Sequence, residues 1–190
     1  MTVRDLILRN RSYRRFHQDV AIPRETLVQL VDLARLSPSA ANHQPLKYVV
    51  SADPATNARI FPCLAWAAYL KDWPGPEEGE RPSAYIVVLG DKRIKESFGC
   101  DHGIAVQSIL IGAAEAGLGG CIVASVQRRE LADALGIADH FEILLVLALG
   151  RPKETVVIEA VGADGDVKYW RDRQGVHHVP KRPLDQVIVR

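Results

Sequence analysis

The chain has 190 residues, of which 47% are hydrophobic and 25% charged, enough for one globular domain with a sizeable core. With 24 Lys and Arg against 23 Asp and Glu the formal net charge is +1, which excludes a broadly basic nucleic-acid-binding surface but leaves room for a local basic pocket. Three scattered cysteines, Cys63, Cys100 and Cys121, exclude a disulfide framework and read as reduced, buried thiols of a cytoplasmic protein. The N-terminus is charged where a secretion signal needs an apolar run, and no apolar stretch is long enough to span a bilayer, so no membrane contact is expected.

A helix is expected from Val3 to Arg9. Pro23 stands near the start of a second helix, where Leu27, Leu30, Val31 and Ala34 recur at i, i+3, i+4 and i+7 and mark one apolar face. Ser37 to Gln44 is a loop, Leu46 to Ala52 a strand, and Pro54 opens a short helical stretch. Pro62 to Arg81 reads as a helix followed by an exposed loop, rich in turn residues at Pro74-Gly75-Pro76. Ala84 to Gly90 is a second strand. Asp101 to Gly117 is a helix apolar almost all round, a pattern that belongs in an interior. One face is expected against the sheet, and the other, through Ala105, Gly112 and Ala116, against a symmetry-related helix. Ile122 and Val123 lie on a short strand, and Glu130 to Leu135 is a helix stopped by Gly136. Phe141 to Leu149 is a continuous apolar run of strand length, so a central strand buried on both faces. Pro180 to Arg190, a basic pair followed by apolar residues, is a C-terminal arm that could reach onto a partner. These elements make one domain over residues 1–190, with no linker inside it.

No dinucleotide fingerprint, phosphate-binding P-loop or nucleophile elbow occurs. His177-His178 has no cysteine or carboxylate at ligand spacing, so it reads as a solvated or structural pair and no metal is expected. Four weaker signals remain. In Arg11-Ser12-Tyr13-Arg14, the two arginines can converge on one anion, with the Ser12 hydroxyl as a further donor; a solvated basic turn is the plainer reading. Pro38-Ser39-Ala40-Ala41-Asn42 is a loop of small residues that lets backbone approach a flat ligand, and Asn42 can donate to and accept from a heteroaromatic edge; a connecting loop is the alternative. Gly117 to Ser125 again permits close approach, Ser125 being placed to cap the following helix. Lys181 and Arg182 can supply a second basic cluster. Trp66, Tyr69 and Trp73 serve either as an aromatic wall for a flat acceptor or as packing.

In this order and spacing the four signals resemble the nitroreductase family of FMN flavoproteins, with its R-R-S-x-R-x-F run, its P-S-x-x-N-x-Q-P loop, a helix ending in G-L-G and a basic pair near the C-terminus. The resemblance covers almost the whole chain and is weakest at Pro62 to Arg81. It implies an α+β fold in α/β/α layers, with a central mixed, mainly antiparallel sheet flanked by helices. It implies FMN bound at the interface of a homodimer. Arg11, Ser12 and Arg14, with Tyr13 in the same run, would hold the phosphate and the pyrimidine edge. Pro38, Ser39, Ala40 and Asn42 would line the ring from the partner subunit. Ile122, Val123, Ala124 and Ser125 would lie along it near N5, and Lys181 and Arg182 would return to the phosphate. The implied activity is ping-pong electron transfer from NADH or NADPH to a small acceptor such as a nitroaromatic or quinone, Arg14 stabilising charge on the reduced ring. Two other readings stay open: a flavoenzyme of the same fold with different chemistry, such as reductive dehalogenation or flavin breakdown, and a cofactor-free dimeric module. Asn10 stands where the family often has arginine, which puts more weight on Lys181 and Arg182.

Overall fold

The computed structural model describes residues 1–189. In chain order the elements are α1 (Val3–Arg9), β1 (Phe16–His17), α2 (Arg24–Leu36), β2 (Leu46–Ser51), α3 (Pro54–Ile60), β3 (Ala84–Asp91), α4 (Asp101–Glu115), β4 (Gly119–Val123), α5 (Arg128–Leu135), β5 (Phe141–Pro152), β6 (Val156–Ala160), β7 (Trp170–Arg171) and β8 (His177–Lys181). The main sheet is antiparallel throughout: β2 pairs with β3, β3 with β5, and the far side of β5 takes both β4 and β1. No helix among the described residues is long and apolar enough to cross a membrane.

The two inner strands explain the layering. Alternate residues of a strand face opposite ways. Ile86, Val88, Leu145, Leu147 and Leu149 therefore pack on one side, against Leu27, Leu30 and Ala34 of α2 and Ile109 and Ala113 of α4. Tyr85, Val87, Leu89, Val146 and Ala148 pack on the other, with Ile60 from α3 and Leu131 from α5. Helix starts follow local chemistry: Thr2 and Asp5 form a reciprocal capping box on α1, and the Asp53 carboxylate accepts from Thr56 N at 2.8 Å, with Pro54 in the first turn of α3.

Several expectations need correction. The small-residue face of α4 does not wait for a second copy. Gly112 is buried against α2 of the same chain, where an added Cβ would overlap Leu33 Cδ1, and Ala105 is buried as well, while Ala116 is exposed. Pro62 to Arg81 forms no α-helix: a 3-10 turn at Phe61–Cys63 leads into irregular chain. Its backbone is committed elsewhere, Ala65 N donating to Ser125 O at 3.0 Å and Cys63 O accepting from Gln127 N at 2.8 Å. Ser125 therefore sits in that pairing and does not cap α5, whose N-cap is Gln127 without a side-chain cap bond. Cys63 and Cys121 are buried free thiols as expected, but Cys100 is exposed.

A second sheet, unforeseen, is built from residues beyond the main core: β6 runs parallel to β8, and β7 antiparallel to it. The expected arm thus begins as the end of β8, and 182–189 follow as exposed chain with one 3-10 turn at Leu184–Gln186. Its last residue, Arg190, lies outside the described residues. In this sheet His178 bonds Glu159 through Nδ1 and Asp172 through Nε2 at 3.2 Å, its ring stacked on Trp170 at 4.0 Å. The Glu159 hydrogen bond first, and then Asp172, hold the His178 pKa above 6.5. A raised folded-state pKa gives stability that is fully present below 6.5 and is lost as pH climbs through the raised value. Amide exchange in β6 and β8, corrected for intrinsic rate, should therefore quicken on that alkaline side in the wild type but not in His178→Phe. Equal pH profiles for the two proteins would remove His178 from the account.

Candidate active site

Arg11 to Arg15 run along the edge of the main sheet between α1 and β1. Ser12 bridges to Gly120 of β4, and Tyr13 N donates to Gly120 O at 3.0 Å. Gly119 has no side chain for a reason: a Cβ there would press on the Tyr13 ring and on Pro152 Cγ. Tyr13 is therefore a packing residue, its hydroxyl donating to Arg9 O at 3.1 Å.

The segment encloses a cavity of about 310 Å³ lined by Arg11, Arg14 and Lys181, with Asn10, Gln107, Gly120, Ile122, Tyr169 and His177 among the remaining walls. Three cations and no carboxylate line it. The Arg11 guanidinium donates to Ile7 O at 2.7 Å through Nη2, while its Nε is buried without a partner. Burial lowers the Arg11 pKa, the sign of a cation taken partly out of water. Asn10 is spent on Gln107, donating through Nδ2 at 3.4 Å.

A second cavity, of about 230 Å³, adjoins the first. It is lined by Ala65, Trp66, Ala67 and Cys121 to Ser125, and it shares Arg14 and Ile122 with its neighbour. Ile122, Ala124 and Ser125 are exposed along it, while the Val123 side chain turns into the core. The result is one trough, cationic at one end and lined at the other by Trp66, small residues and the exposed Ile122, with Arg14 at the junction.

The loop that the resemblance assigns to the partner subunit's ring lies apart from this trough. Pro38 and Ser39 line a separate cavity of about 150 Å³ with Asp101 and Tyr48, and Ala40 and Asn42 are exposed. Their loop is nevertheless rigidly held. The buried Asp101 carboxylate accepts from Ser39 Oγ at 2.6 Å and Ala40 N at 3.0 Å, and Ser39 Oγ accepts from Gln44 N at 3.0 Å. Burial would raise the Asp101 pKa, but these donors outweigh it and the net shift is downward. Ala41, Asn42 and Gln44 all adopt positive φ, between 50° and 55°, a conformation that costs energy in non-glycine residues and is kept only where surroundings impose it. Arg182 faces away, toward Gln186 Oε1 at 3.5 Å. The three aromatics do not form one wall: Trp66 closes over Gly75, Tyr69 meets Tyr169 at 4.9 Å, and Trp73 lies under the Arg171 guanidinium.

The two trough residues that touch Arg14 escaped the sequence reading. Tyr169 and His177 face Arg14, and His177 is only 1% exposed. The signal was there. In a strand, positions two apart share a face, and His177, Val179 and Lys181 all line the cavity; stepping back from Lys181 in twos leads to His177. Among the described residues no group of three or more His, Cys, Asp or Glu side chains is arranged to hold a metal ion.

A layered α+β sheet with a cationic trough at one strand edge defines a protein suited to a ligand with an anionic end. The chain belongs to the nitroreductase family, whose model matches residues 7–151. A relative from Archaeoglobus fulgidus, provisionally named an NADH dehydrogenase/NAD(P)H nitroreductase, is 27% identical over 148 residues, covering 74% of this chain and 80% of its own. Among solved structures, a nitroreductase family protein of Streptococcus pneumoniae covers 100% of both chains with a TM-score of 0.72 at 15% identity. A protein of Exiguobacterium sibiricum, provisionally described as a nitroreductase and solved in complex with FMN, covers 80% of this chain and 89% of its own, with a TM-score of 0.66 at 20% identity.

Proposed function

We propose that this chain is an FMN-dependent oxidoreductase that takes electrons from NADH or NADPH and passes them to a small flat acceptor, such as a nitroaromatic or quinone. The observation that carries the reading is the trough, in which Arg11, Arg14 and Lys181 meet with no carboxylate and open onto the apolar strip Ile122, Ala124 and Trp66. The cations fit one terminal phosphate, and the strip fits a flavin ring. When bound, FMN supplies the hydride-accepting chemistry. The protein's part is binding and electrostatics: Arg11 and Lys181 take the phosphate, Arg14 places a fixed positive charge at the ring's pyrimidine edge, and Ile122 keeps water from one end of the ring. The names of the relatives support the nicotinamide donor.

The working unit in this reading is a homodimer. The loop Pro38 to Asn42 is held in a strained, exposed conformation away from its own chain's trough, as a loop serving a second copy would be. Exposed Ile104 on α4 and the exposed Leu184, Val187 and Ile188 offer apolar surface to that copy. The purified protein is expected to be yellow, to release FMN rather than FAD on denaturation, and to bleach anaerobically with NADH or NADPH. Protein that binds neither flavin on titration overturns the reading.

A further inference from the structure

The family match ends at Arg151, yet Tyr169, His177, Val179 and Lys181, which close one side of the trough, all come from beyond it. Two of them act on Arg14. Arg14 Nη1 lies 3.3 Å from His177 Nε2 and 3.3 Å from Ser12 O, and its guanidinium carbon stands 4.7 Å from the centre of the Tyr169 ring. A guanidinium only donates, so His177 Nε2 is the acceptor and the imidazole is neutral, its proton on Nδ1. The surroundings agree: burial first, then Arg14, Arg171 and His178, push the His177 pKa down to about 4. The ring is itself braced, by Tyr169 at 5.2 Å. Arginine side chains lose considerable rotamer freedom when fixed, and here that loss is taken on folding, before any ligand arrives.

We propose that His177 is a positioning residue: through Nε2, and with the Tyr169 ring as platform, it fixes the Arg14 guanidinium at the junction of the two cavities, so that the segment beyond the family match sets the charge felt by a ligand's ring edge there. The proposal rests on the FMN reading. A ring edge that gains negative charge on reduction feels a fixed cation more than a wandering one, so His177 acts on the flavin's midpoint potential as well as on its affinity.

The test measures FMN affinity by fluorescence titration and the midpoint potential of bound FMN, first in the wild type and then in His177→Leu, His177→Gln, Tyr169→Leu, Arg14→Gln and the double variant H177L/R14Q. His177→Leu should weaken oxidised FMN several-fold and reduced FMN about tenfold more, which is a potential about 30 mV lower for a two-electron couple. His177→Gln, whose amide oxygen can still accept from Arg14, should recover most of both. The double variant should be no worse than Arg14→Gln alone, because the histidine works through the arginine. If His177→Leu does not fold, Tyr169→Leu should lower the potential in the same direction by less. A folded His177→Leu with wild-type potential, or losses that add in the double variant, would overturn the proposal. Wild-type protein that takes up no FMN would overturn the function reading and this inference with it, and that result is visible before any variant is compared.

Discussion

Glu154→Ala is expected to cost about 3–5 kcal/mol of stability, a fall in Tm of roughly 6–20 °C for a domain of this size. The Glu154 side chain is only 1% exposed, and it joins the two sheets. Its Oε1 accepts from the backbone N–H of Arg14 and, at 3.2 Å, of Arg15, while Oε2 accepts from Arg171 Nη2 at 2.9 Å. Alanine strands the Arg171 charge, itself largely buried, and two amides at once. Glu154→Gln should retain the contacts to the amides and lose the charge pairing, so it should fall between the wild type and alanine. Thermal unfolding reads the series, and an alanine variant melting with the wild type would show that Glu154 does not clamp the sheets together.

Arg11→Ala is expected to weaken FMN binding roughly 10- to 100-fold, the value of one charge-assisted hydrogen bond of about 1.5–3 kcal/mol. Arg11 lines the cationic end of the trough, and its hydrogen bond to Ile7 O at 2.7 Å lies on the exposed side of the chain. The apoprotein should therefore keep its circular dichroism spectrum and its melting temperature to within a few degrees. Quenching of FMN fluorescence on titration gives the affinity directly. An unchanged dissociation constant would take Arg11 out of the phosphate site.

The parts of the fold that were legible in the sequence are those whose burial follows a period. Leu27, Leu30 and Ala34 trace the buried face of α2, and the unbroken apolar run of β5 announces a strand covered on both sides. The small sheet was not legible because its strands carry no such alternation. Val156 to Ala160 is at best half-buried, and β8 contains a proline. What joins these strands includes the bonds of His178 to Glu159 and Asp172, partners 19 and 6 residues away in sequence, which no local pattern reveals. Pro62 to Arg81, read as a helix and then a loop, departs for a different reason: the backbone of 63–65 is engaged by 125–127. At the site, the run Arg11 to Arg14 was readable because its members are neighbours in sequence. Alternation back from Lys181 marks the face His177 shares, but not its meeting with Arg14, which spans 163 residues.

Gly112 links the interior to the exposed loop after α2. It is where α2 rests on α4, with Leu30 and Leu33 filling the space a side chain would need. Beyond Leu36 the chain passes through Ser37, whose Oγ lies 2.7 Å from Ser108 Oγ of α4, into the strained loop at Ala41 to Gln44. The loop thus hangs from a helix whose height above its neighbour is fixed by a missing methyl group. Gly112→Ala should act as a shim. Its direct packing penalty of about 1–3 kcal/mol would lift the end of α2, and Asp101 and Ser39 would move out of register. A lesion in the hydrophobic interior would then be read as slack in an exposed loop, with proteolysis near Asn42 quickened well before the protein as a whole unfolds.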